Sequence, residues 1–82
     1  MSPKLRNVAV IDFIKALERD GFVFKRQHGS HKIYIKSETG KQVVVAYHHA
    51  GESLRIGILN NLIKDAGWTE DDLVRLKLMR KR

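Results

Sequence analysis

Four histidines fall into two close sets along this 82-residue chain: His28 and His31 bracket Gly29-Ser30, and His48 adjoins His49. A tight turn needs the glycine but has no use for imidazole, so the histidines call for their own explanation. Imidazole titrates near ~6.5, which lets a single ring act as general acid or general base at neutral pH. Cleavage of RNA through the neighbouring 2′-hydroxyl needs both tasks. One group removes the hydroxyl proton, and another protonates the departing oxygen. Lys25, Arg26, Lys32 and the backbone amides of the glycine turn lie nearby in sequence and could neutralise charge developing on a phosphate. The competing reading is bland: a polar turn histidine, or one hydrogen-bonded inside the fold.

Other chemistries fit these residues less well. His28, His31, His48 and His49 could offer nitrogens to a metal, but no pair of carboxylates accompanies them in sequence, and there is no cysteine. The acidic run Glu70-Asp71-Asp72 is better explained as the first turn of a helix. Neither a metal site nor a cofactor is therefore expected. Ser30 beside His31 lacks a nucleophile elbow and an acidic orienting partner, so it reads as a turn residue or a donor to phosphate. Tyr34, between Lys32 and Lys36, could stack on a base or serve as an ordinary strand aromatic.

The elements that would position these side chains follow from periodicity. Over residues 8–20, Val10, Phe13, Ile14 and Leu17 form one helical stripe, with Asn7 as cap and Gly21 as stop. The period then shortens to that of strands over 22–27, 31–36 and 41–48, joined by loops that each contain glycine. A two-residue Gly29-Ser30 turn sets His28 across from His31. Counting by twos places Ile33 and Ile35 on the face of His31, and Lys32, Tyr34 and Lys36 on the other. His31 is thus expected to share the parity of the core while sitting at the sheet's end, with His48 opposite or diagonal to it. A second helix follows with Leu54, Ile58, Leu59, Leu62, Ile63 and Ala66 on one side, ending at Gly67, and Trp68 packs back on its end. Thr69 and Asp72 have capping-box spacing for a third helix burying Leu73, Leu76 and Met79, ahead of a basic Arg80-Lys81-Arg82. The expectation is one α+β domain over residues 1–82: an α-β-β-β-α arrangement with a three-stranded antiparallel sheet and an additional C-terminal helix, similar to double-stranded-RNA-binding domains.

Composition limits what such a domain can do. A formal charge of +7 favours polyanionic partners, nucleic acid first and an acidic protein second. At this length no large internal cavity can be spared, so a site should be a shallow surface groove. With 43% hydrophobic and 30% charged residues, the chain is globular rather than disordered. No apolar run approaches the ~20 residues of a membrane span, and "MSPKLRNVAV" lacks a signal-peptide block, so a cytoplasmic protein without a membrane partner is expected.

Three segments in order, "LERDGF", "GSHKIYI" and "VVVAYHHAGESLRIGILNNLIKDAG", carry a resemblance that covers nearly the whole chain. The sequence resembles the HicA-type toxins, also called YcfA-like mRNA interferases. In that family a Gly-Ser-His triplet opens the second strand, a Val-Pro-x-His ends the third, and a Gly-Thr-Leu lies in the following helix. Gly29, Ser30 and His31 match the triplet, and His31 falls on the family's catalytic histidine. His48 matches the later histidine, with Ala46 in place of proline; Gly57 and Leu59 match the helix signature, with Ile58 in place of threonine. The resemblance implies a metal-independent endoribonuclease that cleaves mRNA and is held inactive by a HicB-type antitoxin. His31 would be catalytic, and Gly29, Ser30, Lys25, Arg26, Lys32 and His48 would contact RNA. Two rivals stay open: a non-catalytic double-stranded-RNA-binding module of the same fold, and a protein-interaction module.

Overall fold

The apolar stripe of Val10, Phe13, Ile14 and Leu17 winds into helix α1, Val10–Arg19, and all four side chains are buried. The computed structural model describes residues 8–49 and 51–79. Asn7, expected as the cap of α1, lies outside them. Ala9 occupies the cap position without a side-chain hydrogen bond. The helix end is satisfied from elsewhere in the chain. Ala9 pairs with Ser53 in an antiparallel bridge, and the first helical amide, Val10 N–H, donates to the Glu52 carbonyl at 2.7 Å.

After α1 the chain builds strands β1, Val23–His28, β2, His31–Lys36, and β3, Lys41–Ala46, then helices α2, Ile56–Ala66, and α3, Glu70–Arg75. The three strands form one antiparallel sheet in the order β1-β2-β3. This is the expected α+β, α-β-β-β-α arrangement with its extra C-terminal helix, in keeping with a double-stranded-RNA-binding-domain-like fold. Gly29 takes φ 61° in the first turn and Gly40 φ 73° in the second, conformations that an L side chain would strain. Residues 22–27 were expected as the first strand; it runs one residue later, so that His28 pairs with His31.

The parity of β2 is as expected, but the core lies on its other face. Tyr34 is only 3% exposed and packs in the core with Val43 and Val45 under the helices, while Ile33 is buried outside that cluster. Cross-strand partners share a face, so Tyr34 goes with Val43 and Lys32 with Val45, whereas His31, Ile33 and Ile35 go with Ala46, Val44 and Gln42. Lysines made the Tyr34 face look polar in sequence. Their stems are amphipathic: Lys36 passes Phe22, its Nζ 5.8 Å from the ring centroid, to reach Asp20. Tyr34 is therefore a core aromatic rather than a platform for a base. Burial pushes its phenol pKa up, with the negative charge of Glu18 adding to the effect.

Trp68 closes the core. It packs on Phe13 and Phe22 with ring centroids 5.4 and 6.4 Å away, just after Gly67 ends α2 in a left-handed conformation. Leu73, Leu76 and Met79 are buried as expected, and Thr69 and Asp72 form the reciprocal capping box of α3. Arg80, Lys81 and Arg82 lie outside the described residues. Ile58 departs from expectation: it is 50% exposed, and Leu59, Leu62 and Ala66 carry the buried side of α2.

Two further features frame the sheet. Asp20, at the end of α1, accepts from Trp68 Nε1 at 2.7 Å, Arg75 at 2.9 Å and Lys36 Nζ at 3.2 Å. Strand β1 is exposed along its whole length on the sheet's outer edge, with an irregularity in its pairing between Phe24 and Arg26.

Candidate active site

The Gly29-Ser30 turn delivers what the sequence asked of it: His28 and His31 are directly cross-strand at the end of the β1–β2 ladder. Both are exposed. His31 shares the open face of the sheet, away from the helices, with Ala46 beside it on β3. Among the described residues no side-chain hydrogen bond engages either ring. A histidine that served packing would be enclosed and paired; this one is neither.

The turn itself is fixed from two sides. Gln27 Nε2 donates to the Gly29 carbonyl at 2.8 Å, and Tyr47 N–H donates to the Ser30 carbonyl at 2.6 Å. That second bond extends the β2–β3 contact one residue past the end of β3. The strand-like run 41–48 predicts His48 as the last residue of the third strand. It lies just beyond the strand instead, the neighbour of Tyr47 and two residues past the Ala46 that faces His31. Its Nδ1 is 3.1 Å from Oε1 of Glu52.

The cations expected near the turn are distributed rather than clustered. Arg26 pairs with Ile33 and so shares the open face with His28 and His31. Lys25 is exposed at the irregularity of the edge strand. Lys32 belongs to the helix-side face, where its Nζ sits 4.0 Å above the ring of Tyr47. The open face therefore carries His28, His31 and Arg26 towards one end, together with Ile33, Ile35 and Val44, of which Val44 is exposed and Ile33 buried. Among the described residues no three His, Asp or Glu side chains converge in an arrangement that could hold a metal ion.

One residue here escaped the sequence reading. Glu52 stands in a loop, where no periodicity announces it, and its link to His48 depends on how that loop folds. The signal was the four-residue spacing between a histidine and an acid. The hydrogen bond from His48 holds the Glu52 carboxyl below the ordinary carboxylate range, with burial opposing it.

Comparison with known proteins adds one finding. The family model described as the HicA toxin of bacterial toxin–antitoxin systems matches residues 11–68, from the start of α1 to Trp68 and including both hairpins and α2. No curated protein matches the chain significantly.

Proposed function

The chain belongs to the HicA toxin family of bacterial toxin–antitoxin systems, and on that premise we infer that it is a metal-independent endoribonuclease that cleaves mRNA in the cytoplasm, with His31 as general acid or base. A toxin of this family has a cognate antitoxin; the partner proposed here is of the HicB type, and it silences the toxin by covering His31. No helix among the described residues is long and apolar enough to cross a membrane.

The observation that supports this most is the state of His31. Its ring is exposed at a sheet end, across from His28 and on the same face as Arg26, on a turn tied by the Gln27 side chain and the Tyr47 amide. The reaction asks for the same things: a proton acceptor near neutral pH, in reach of solvent-borne polymer, with positive charge close at hand. RNA is gripped through Gly29, Ser30, Lys25, Arg26 and His48, with Lys32 contributing from the rim of the other face. The charge of +7 draws the polyanion in. No cofactor is required for this chemistry.

The test is direct. Purified protein is incubated with RNA in excess chelator and the products are run on a denaturing gel. The parent yields fragments, and His31→Ala yields them roughly 10²- to 10⁴-fold more slowly. A folded His31→Ala variant that cuts as fast as the parent removes His31 from the mechanism. Salt-sensitive binding without fragments would instead establish a non-catalytic RNA-binding module.

A further inference from the structure

The reaction proposed for His31 needs two proton transfers, and one ring at a turn accounts for only one of them. The candidate for the other is tied to the same turn. Tyr47 N–H bonds to the Ser30 carbonyl at 2.6 Å, and His48 is the next residue. Ala46 is the cross-strand partner of His31, and two residues of extended chain span at most ~7 Å, so the backbone of His48 lies within roughly 12 Å of that of His31.

His48 is also held by a carboxylate that the fold itself fixes. Glu52 and His48 are four residues apart, but they are not in a helix, so the spacing alone does not bring them together. The backbone of Glu52 is pinned instead. Its carbonyl accepts from Val10 at 2.7 Å, its amide donates to the His49 carbonyl at 3.1 Å, and the next residue, Ser53, pairs with Ala9. From that anchor Oε1 reaches to 3.1 Å from Nδ1 of His48. An ionised carboxylate can only accept, so the contact places a proton on Nδ1 and leaves Nε2 as the nitrogen free to meet a ligand. Glu52 stays ionised at neutral pH, its carboxyl held low by the bond from His48, with the nearby His49 adding to this.

We propose that His48 is the second proton-transfer group of this site and that Glu52 is the residue that positions it, an inference that rests on the reading of His31 as an acid–base group acting on RNA. His31 takes the proton from the 2′-hydroxyl, and the 2′-oxygen bonds to phosphorus. The bond from phosphorus to the 5′-oxygen breaks with its electron pair on that oxygen, and Nε2 of protonated His48 gives it a proton. The products are a 2′,3′-cyclic phosphate and a free 5′-hydroxyl. His31 ends protonated and His48 neutral, its Nδ1 still carrying the proton that it donates to the Glu52 carboxylate; exchange with solvent resets both.

A merely structural His48–Glu52 pair and a catalytic one differ in a measurable way. The bond that the parent cuts is mapped, and an RNA is made with sulfur in place of its bridging 5′-oxygen. A thiolate leaves without being protonated, so the acid is no longer needed. On ordinary RNA, His48→Ala should lose about 10²-fold or more, and Glu52→Ala about 10-fold in kcat with KM unchanged. On the sulfur substrate both should come within a few-fold of the parent, while His31→Ala stays slow on both substrates. Glu52→Gln, which keeps an acceptor, should recover most of the loss of Glu52→Ala. Parent-like cleavage of ordinary RNA by His48→Ala, or an equal loss on both substrates, overturns the inference and leaves His31 standing. A parent that cuts neither substrate overturns the reading of His31 and this one with it.

Discussion

At the Lys36 end of β2, Asp20 accepts hydrogen bonds from Trp68, Arg75 and Lys36, and Arg75 also reaches Asp72 at 3.1 Å inside the α3 cap. At the His31 end of the same strand, His28 and His31 stand exposed, and their rings enter no hydrogen bond among the described residues. Both ends gather ionisable side chains at the rim of one sheet. One is saturated and holds three elements together; the other keeps its donors and acceptors unspent. Charge in a cluster is thus a poor guide to function. Unused hydrogen-bonding capacity on a rigid frame is a better one, since a group already engaged on every side has nothing left for a ligand.

On that contrast, activity and stability should separate along β2. The largest effect lies at the open end: His31→Ala should cost about 10²- to 10⁴-fold in cleavage and leave the melting temperature nearly unchanged, because an exposed, unpaired side chain contributes little to folding. At the saturated end, Asp20→Ala should destabilise by about 3 kcal/mol, since the indole N–H of Trp68 and the ammonium of Lys36 lose their acceptor. For a domain this size that is a fall of roughly 12–24 °C in melting temperature. Assayed well below its melting point, this variant should cut RNA at the parent rate. A slow Asp20→Ala, or an unstable His31→Ala, would break the comparison.

Acid gives a smaller and finer test. Burial alone would push the Asp20 carboxyl up, but hydrogen bonds from Trp68, Arg75 and Lys36 together outweigh it and hold the group below its ordinary value of 3.8. A depressed folded value means that the unfolded chain takes up the proton first as pH falls. The stability from this group is therefore full above 3.8 and is lost as pH drops through the lower, folded value. Melting temperature followed from about pH 5 to about pH 2 should fall less steeply in Asp20→Ala than in the parent. Asp72, held low by the backbone bond from Thr69 despite some burial, and Glu52 keep the rest of the slope.

The smallest effect belongs to the cap that adjoins the saturated end. Thr69 Oγ1 accepts from Asp72 N–H at 3.2 Å, and Thr69→Ala should cost about 1 kcal/mol. If it costs nothing, α3 is held by the burial of Leu73 and by the Arg75–Asp20 contact without help from its cap.

Much of this was legible in the sequence where a local rule applies. Gly29-Ser30 spells a two-residue hairpin turn, so the facing of His28 and His31 could be counted, and the Thr69-to-Asp72 spacing wrote the α3 cap. What escaped depends on tertiary contact. The choice of core face on β2 turned on Tyr34 against Ile33, and Lys32 and Lys36 disguised it, because their ammonium groups sit against the rings of Tyr47 and Phe22 on that same face. Ile58 matched a helical stripe, but the described structure leaves it in the open. Glu52 gave no periodic signal at all; it is placed by the bridge between Ala9 and Ser53, a pairing between segments far apart in sequence.

The outer strand has a last consequence, for how the protein behaves in company. A straight, bare β-edge with Val23 at 55% and Phe24 at 51% exposure would invite copies to stack rail against rail into fibrils. Here the kink between Phe24 and Arg26 breaks the alignment that such templating needs, and Lys25 and Arg26 set like charges against any identical neighbour. The same two cations proposed to contact RNA thus also serve as gatekeepers, and an uncovered edge need not become a seed for aggregation.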